Sequence, residues 1–133
     1  MKIIIDTNIV ISGLFFGGYP RLIIESVVNN KIEAVASIEI IKEYKEVIYR
    51  YKNRTSFSLN DRLTKVFFHC LNIIHTSTKL NVCRDKDDDK FIECAVDAHA
   101  HYVVSGDKDL LSLEEYEDIT IITAKDFCEQ FVK

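Results

Sequence analysis

Residues 1–8 read Met1-Lys2-Ile3-Ile4-Ile5-Asp6-Thr7-Asn8, and the expected fold follows from them. Ile3, Ile4 and Ile5 form an unbroken apolar run with no polar face. A strand reads this way when both of its sides are covered, as in the centre of a parallel sheet. The run stops at Asp6, and Thr7 and Asn8 follow as helix-start residues. Ile9, Val10, Ile11, Leu14 and Phe15 then continue at helical spacing. A carboxylate therefore sits where a buried strand turns into a helix. In open α/β sheets that carboxyl edge is where ligands bind. Asp6 either caps the helix or faces a ligand, and the other acids that reach the same edge decide between the two.

Outward from this stretch, strands and helices alternate. Gly17, Gly18 and the only proline, Pro20, mark a break before a helix carrying Leu22, Ile23, Ile24, Val27 and Val28. Glu33 to Ala36 reads as a short strand, with Ser37 as the next N-cap. Ile40, Ile41, Tyr44, Val47, Ile48 and Tyr51 repeat at helical spacing. Residues 49–58 are polar and basic, a loop or a frayed helix end. Ser58 and Asp61 have capping-box spacing before Leu63, Val66, Phe67, Phe68 and Leu71. Ile73 and Ile74 suggest a short strand, and residues 76–88 are polar and irregular. The second half repeats the alternation: a helix through Phe91, Ile92, Ala95, Val96 and Ala98, a strand at Tyr102 to Val104, and a short helix at Leu110 to Leu113. A last strand at Ile119 to Ile122 leads to a Thr123/Asp126 capping box and a helix with Phe127, Phe131 and Val132. Such alternation means an α/β fold, a mostly parallel sheet with helices on both faces. No linker or repeat interrupts it, so residues 1–133 read as one domain.

Composition narrows the function. The 133 residues suffice for a core without disulfide or metal staples. No apolar run approaches a membrane span, and no cleavage pattern follows Lys2, so a cytoplasmic protein is expected. Cys70, Cys83, Cys94 and Cys128 show no C-x-x-C and read as buried free thiols. The four histidines lack zinc spacing. No Walker loop, G-x-G-x-x-G or G-x-S-x-G occurs. The net charge of −4, from 17 Lys and Arg against 21 Asp and Glu, conceals a segregation. Asp85, Asp87, Asp88 and Asp89 lie together, whereas Lys42, Lys45, Arg50, Lys52, Arg54, Arg62 and Lys65 gather mid-chain.

Four acid stations share one expected destination. Asp107 repeats the setting of Asp6: apolar strand, Ser105, Gly106, acid, helix. Gly106 is expected to allow a tight turn there. Neighbouring parallel strands would place both carboxylates on one edge, although either could cap its helix. Glu43 lies on the border of its helix's apolar stripe, whereas Glu39 and Glu46 turn further toward solvent. Glu43 is thus the glutamate best placed to face the edge, unless it is a salt-bridged border residue. In RDKDDDKF, acids in a first turn suit the helix dipole, and the remainder repel one another. Asp88 aligns with the buried face through Phe91 and Ile92, and Asp89 lies at that face's edge. Asp85 and Asp87 are expected in solvent or behind the site.

Carboxylates gathered in one cleft hold each other's pKa values up, and a hard divalent cation removes that penalty. With oxygens as the donors, Mg²⁺ or Mn²⁺ is the expected ion. Such a site suits water activation and in-line phosphodiester displacement. Lys42, Lys45, Arg50, Lys52 and Arg54 are candidates to hold flanking RNA phosphates.

The pieces IIIDTNIVISGLF, SIEIIKEYKEVI, RDKDDDKFIECA, YVVSGDKDLL and ITIITAKDF, in this order and spacing, resemble the PIN-domain family and its subgroup of toxins from toxin–antitoxin pairs. The resemblance covers essentially the whole chain. It implies a three-layer α/β/α fold with a five-stranded parallel sheet in the order 3-2-1-4-5. It also implies a metal-dependent ribonuclease leaving 5′-phosphate ends, a small antitoxin partner and a homodimer. By position, the metal-binding and catalytic acids would be Asp6, Glu43, one of Asp88 and Asp89, and Asp107. Asn8, Ser105 and Asp109 match supporting polar positions. Two other functions compete with the endoribonuclease. One is a non-catalytic RNA-binding or scaffold module of the same fold. The other is a phosphoacceptor switch, for which Lys125 is the available but poorly matching lysine.

Overall fold

The computed structural model describes residues 1–54 and 56–132. The order of elements is β1 (Lys2–Ile5), α1 (Thr7–Phe15), α2 (Gly18–Val28), β2 (Glu33–Ser37), α3 (Ile38–Arg54), α4 (Asp61–Cys70) and β3 (Asn72–Ile74). A 3₁₀ turn (Lys86–Asp88) leads into α5 (Asp89–Ala98). β4 (Tyr102–Val104), α6 (Lys108–Leu111), β5 (Glu115–Tyr116), β6 (Ile119–Ile122) and α7 (Ala124–Phe131) complete the chain.

The strands form one sheet in the order β3-β2-β1-β4-β6-β5. Every pairing is parallel except β5 with β6. The expected 3-2-1-4 order holds, and the strand at Ile119–Ile122 follows β4 as expected. β5 is an addition. Two residues are too few to show a period, and Glu114 and Glu117 adopt positive φ to turn the chain around them.

β1 is central, which explains its three isoleucines. Ile3, Ile4 and Ile5 are at most 1% exposed, covered on both faces. α5 packs across β1, β2 and β4, and α3 packs against β2 and α1. α1 and α2 pack on each other at Gly13, where a Cβ would stand 2.7 Å from Ile24 Cγ1 and 2.9 Å from the Pro20 carbonyl oxygen. The two helices bend by 93° at their break, and no single described helix is long and apolar enough to cross a membrane.

Three local expectations change. α3 continues as helix to Arg54 rather than loosening after Tyr49. The cap of α4 is Asn60, whose side chain accepts from Leu63 N at 3.0 Å, not Ser58. Gly106 has no positive φ, and a Cβ there would meet Ile9 Cδ1 at an ordinary 3.9 Å, so its turn does not require glycine. Ser37 and Thr123 cap their helices as the sequence suggests, accepting from Ile40 N and Asp126 N. The four cysteines are free, three of them buried, and burial pushes the Cys83 and Cys94 thiols up to about 12.

Candidate active site

β1 and β4 are paired neighbours, with Ile5 opposite Val104. Asp6 N donates to the Val104 carbonyl at 2.9 Å, so the two strand ends are tied together. The acids that follow them consequently emerge on one edge. Ser105, fully buried, links them. Its Oγ donates to Asp6 Oδ2 at 2.6 Å and accepts from Asp107 N at 3.0 Å. Asp6 holds the N-cap position of α1 but makes no side-chain cap bond. Its buried carboxylate is therefore not spent on an N-cap bond, although the backbone of Thr7 also hydrogen-bonds it. Asp107 does cap α6, its Oδ1 accepting from Asp109 N at 2.9 Å.

Asp88 and Asp89 have different surroundings. Asp88 ends the 3₁₀ turn and is 7% exposed, and its Oδ2 is buried without a hydrogen-bond partner among the described residues. Burial pushes its carboxyl up to about 7, reinforced by the charges of Asp107 and then Asp6. Burial also raises the Asp6 carboxyl. The Ser105 bond opposes that rise, and the charges of Asp107 and Glu43 add to it. Asp6, Asp88 and Asp107 thus repel one another in one region. Asp89 opens α5 and binds the preceding loop, its Oδ1 accepting from Val82 N at 3.1 Å and Cys83 N at 2.9 Å. Its Oδ2 is also buried without a partner. Asp85 caps the 3₁₀ turn through Asp87 N, and both acids are exposed.

Glu43 reaches the same neighbourhood from α3. Thr7 Oγ1 donates to its Oε2, and Lys90 Nζ lies 2.8 Å from its Oε1. The next residue, Tyr44, is buried and donates its hydroxyl to the Ile5 carbonyl, which fixes α3 against the end of β1. Glu43 is therefore both edge-facing and salt-bridged, two alternatives that the sequence left open.

The remaining candidates are more peripheral. Asn8 is exposed in the first turn of α1. Asp109 pairs with the exposed Arg84 at 3.4 Å. Lys42, Lys45, Arg50, Lys52 and Arg54 are all exposed on α3. At roughly 100° per residue, Arg50 and Arg54 share the Glu43 face about two and three turns along, while Lys45 and Lys52 point the opposite way. They do not make one patch. Lys125 is exposed in the first turn of α7.

Two features are not anticipated by the sequence pattern. Lys90 is one, because its partner belongs to a distant helix. The other is a ladder of acids at Asp89, Glu93 and Asp97, one helical turn apart on α5. Glu93 Oε2 accepts from Leu80 N at 2.9 Å, and Asp97 Oδ2 accepts from Ser77 N and Thr78 N at 2.8 and 3.1 Å. The ladder fastens a loop with no secondary structure of its own, satisfying backbone donors that no strand pairs. Its i, i+4, i+8 spacing was the available signal. Beside it a cleft of about 400 Å³ opens between Glu39, Lys79, Lys86 and Lys90.

Among the described residues, no three carboxyl, imidazole or thiol groups already stand in a ligating arrangement. The donor set nevertheless fits a hard divalent ion. The donors are oxygens, Asp88 Oδ2 is buried and unpartnered, and the acids raise one another's proton affinity.

Comparison with known proteins gives the family and the fold. Residues 2–109 match the model of a PIN domain, and the chain belongs to the PIN-domain family. Members of that family are generally nucleases and typically use divalent metal ions. The chain is 34% identical over 145 aligned residues to the uncharacterized protein MJ1680 of Methanocaldococcus jannaschii, covering 100% of this chain and 93% of that one. Its fold is similar to a chain in the crystal structure of VapBC2 from Rickettsia felis bound to a DNA fragment from their promoter. The TM-score is 0.62 at 15% identity, covering 92% of this chain and 98% of that one.

Proposed function

We propose that this PIN domain is a divalent-metal-dependent endoribonuclease, acting with Mg²⁺ or Mn²⁺ as the toxin of a toxin–antitoxin pair. The observation that carries the chemistry is the meeting of Asp6, Asp107 and Asp88 at one sheet edge, with Asp88 Oδ2 buried and unpartnered. Asp6, Asp88 and Asp107 hold the ion. When bound, it supplies an activated water and neutralises charge on the phosphodiester. Ser105 orients the Asp6 carboxylate and keeps Asp107 beside it. Glu43, held from two sides, orients the attacking water. Asp89 fastens the loop behind Asp88. The fold shared with a chain of VapBC2 supports the toxin role and a small antitoxin partner. A homodimer working in the cytoplasm is part of the proposal on the family resemblance alone.

Incubation of the purified chain with single-stranded RNA tests this function. Cleavage with Mn²⁺, its loss with EDTA, and its loss in Asp6→Asn and Asp107→Asn are expected, with 5′-phosphate ends on the products. RNA binding that survives Asp6→Asn, with no metal-dependent turnover, favours the non-catalytic module instead.

A further inference from the structure

The acids of the edge fall into two sets. Asp6, Asp88 and Asp107 have no basic side chain within ion-pair distance among the described residues. Glu43 has one, Lys90. This lysine is not a surface partner: its side chain is 10% exposed, and that of Glu43 is 31% exposed. Its Nζ also donates to the Asp87 carbonyl at 2.6 Å and lies 5.2 Å from the centre of the Phe91 ring. Both oxygens of Glu43 are engaged, one by the ammonium and one by the Thr7 hydroxyl.

Removing a lysine ammonium from water is costly unless a charge and hydrogen bonds compensate it. Here Glu43 and the Asp87 carbonyl provide that compensation and fix the nitrogen in place. An ammonium carries three donors, and Glu43 and Asp87 accept two. A cation is thus already installed beside the acid edge, with one donor to spare.

We infer that Lys90 is a resident cation in the place of a second metal ion. It neutralises Glu43, leaves the site with room for one divalent ion held by the aspartates, and offers its remaining N–H to a phosphate oxygen of the substrate. This inference rests on the nuclease function proposed above. Lys90 is a positioning residue for Glu43 and a contact for the substrate. It does not itself exchange a proton or form a bond in the reaction.

The experiment is calorimetric titration of the metal-free chain with Mn²⁺, without RNA. The wild type is expected to bind one Mn²⁺ per chain. Lys90→Gln is expected to bind a second, or to bind the first about tenfold more tightly, because Glu43 is left unneutralised. Lys90→Arg is expected to keep the single site. Two Mn²⁺ in the wild type, or no change in Lys90→Gln, overturns the inference. If Lys90→Gln does not fold, Glu43→Gln decides. Affinity within about threefold of wild type supports a non-ligating Glu43, and a tenfold loss overturns it. A chain that binds one ion but cleaves no RNA ends the nuclease function while leaving the single-ion count intact. A chain that cleaves RNA with two ions bound does the reverse.

Discussion

Ser105 Oγ donates to Asp6 Oδ2 at 2.6 Å, joining two residues 99 positions apart in sequence at the carboxyl ends of adjacent strands. The hydroxyl also receives Asp107 N, so one buried side chain sets the spacing of two acids. Ser105→Ala leaves a buried carboxylate and a backbone N–H without that partner. The expected cost is about 1–3 kcal/mol in urea unfolding. Loss of the bond also frees the Asp6 carboxylate from the contact that orients it, so Mn²⁺ binding should weaken. Calorimetry of the two chains at one pH checks this, and equal affinities would contradict it.

Asp88 gives a stability profile with a definite sign. Burial, with the charges of Asp107 and Asp6, holds its carboxyl at about 7 in the folded chain, well above the ordinary carboxylate range. A raised carboxyl favours folding at low pH. That contribution is fully present below about 4 and is lost as pH rises through about 7. Asp88→Asn, which mimics the protonated form, should therefore stabilise the metal-free chain at pH 8 by on the order of 1 kcal/mol. At pH 4 it should change little. Thermal unfolding in EDTA at both pH values measures the difference. Equal effects at the two values would contradict it.

The central strand and its acids were legible because an apolar run ending in Asp is a local signal. Ile3 to Asp6 and Tyr102 to Asp107 each carry it within a few residues. Glu43 was legible through helical phase alone. The third acid was not, and the reason lies at the junction. Asp88 closes a 3₁₀ turn and Asp89 opens α5, and both are buried, so helical phase alone does not separate them. Lys90 was hidden because a salt bridge between helices leaves no periodic trace. β5 was too short to see, and Asn60 replaced Ser58 as a cap because it lies immediately before the helix. The basic residues of α3 looked like one cluster in sequence, but their angular spread separates them.

Asp97 offers a test of the loop anchor. It accepts from Ser77 N, Thr78 N and the Thr78 hydroxyl, and that hydroxyl bond leads in holding its carboxyl below the usual range. Asp97→Ala should free the amides of Ser77 and Thr78 and cost on the order of 1 kcal/mol. Hydrogen exchange is expected to rise at those two amides and to remain unchanged in β1 and β4. Faster exchange throughout the sheet would contradict a local role.

Gly13 tests the packing of α1 on α2. A methyl group there must displace Ile24 or the Pro20 carbonyl. Gly13→Ala should destabilise by about 1–3 kcal/mol despite its better helix propensity. Gly106→Ala, at an open position, should lie within about 0.5 kcal/mol of wild type. Chemical unfolding of the two variants side by side gives the comparison.

In the proposed function, Asp6, Asp88 and Asp107 share one cation. Mn²⁺ affinity of the metal-free chain, measured for Asp6→Asn, Asp88→Asn and Asp107→Asn after confirming that each folds, addresses it directly. Each substitution is expected to weaken binding by about tenfold or more. Affinities that match the wild type in all three would show that these carboxylates hold no metal, and the site would have to lie elsewhere.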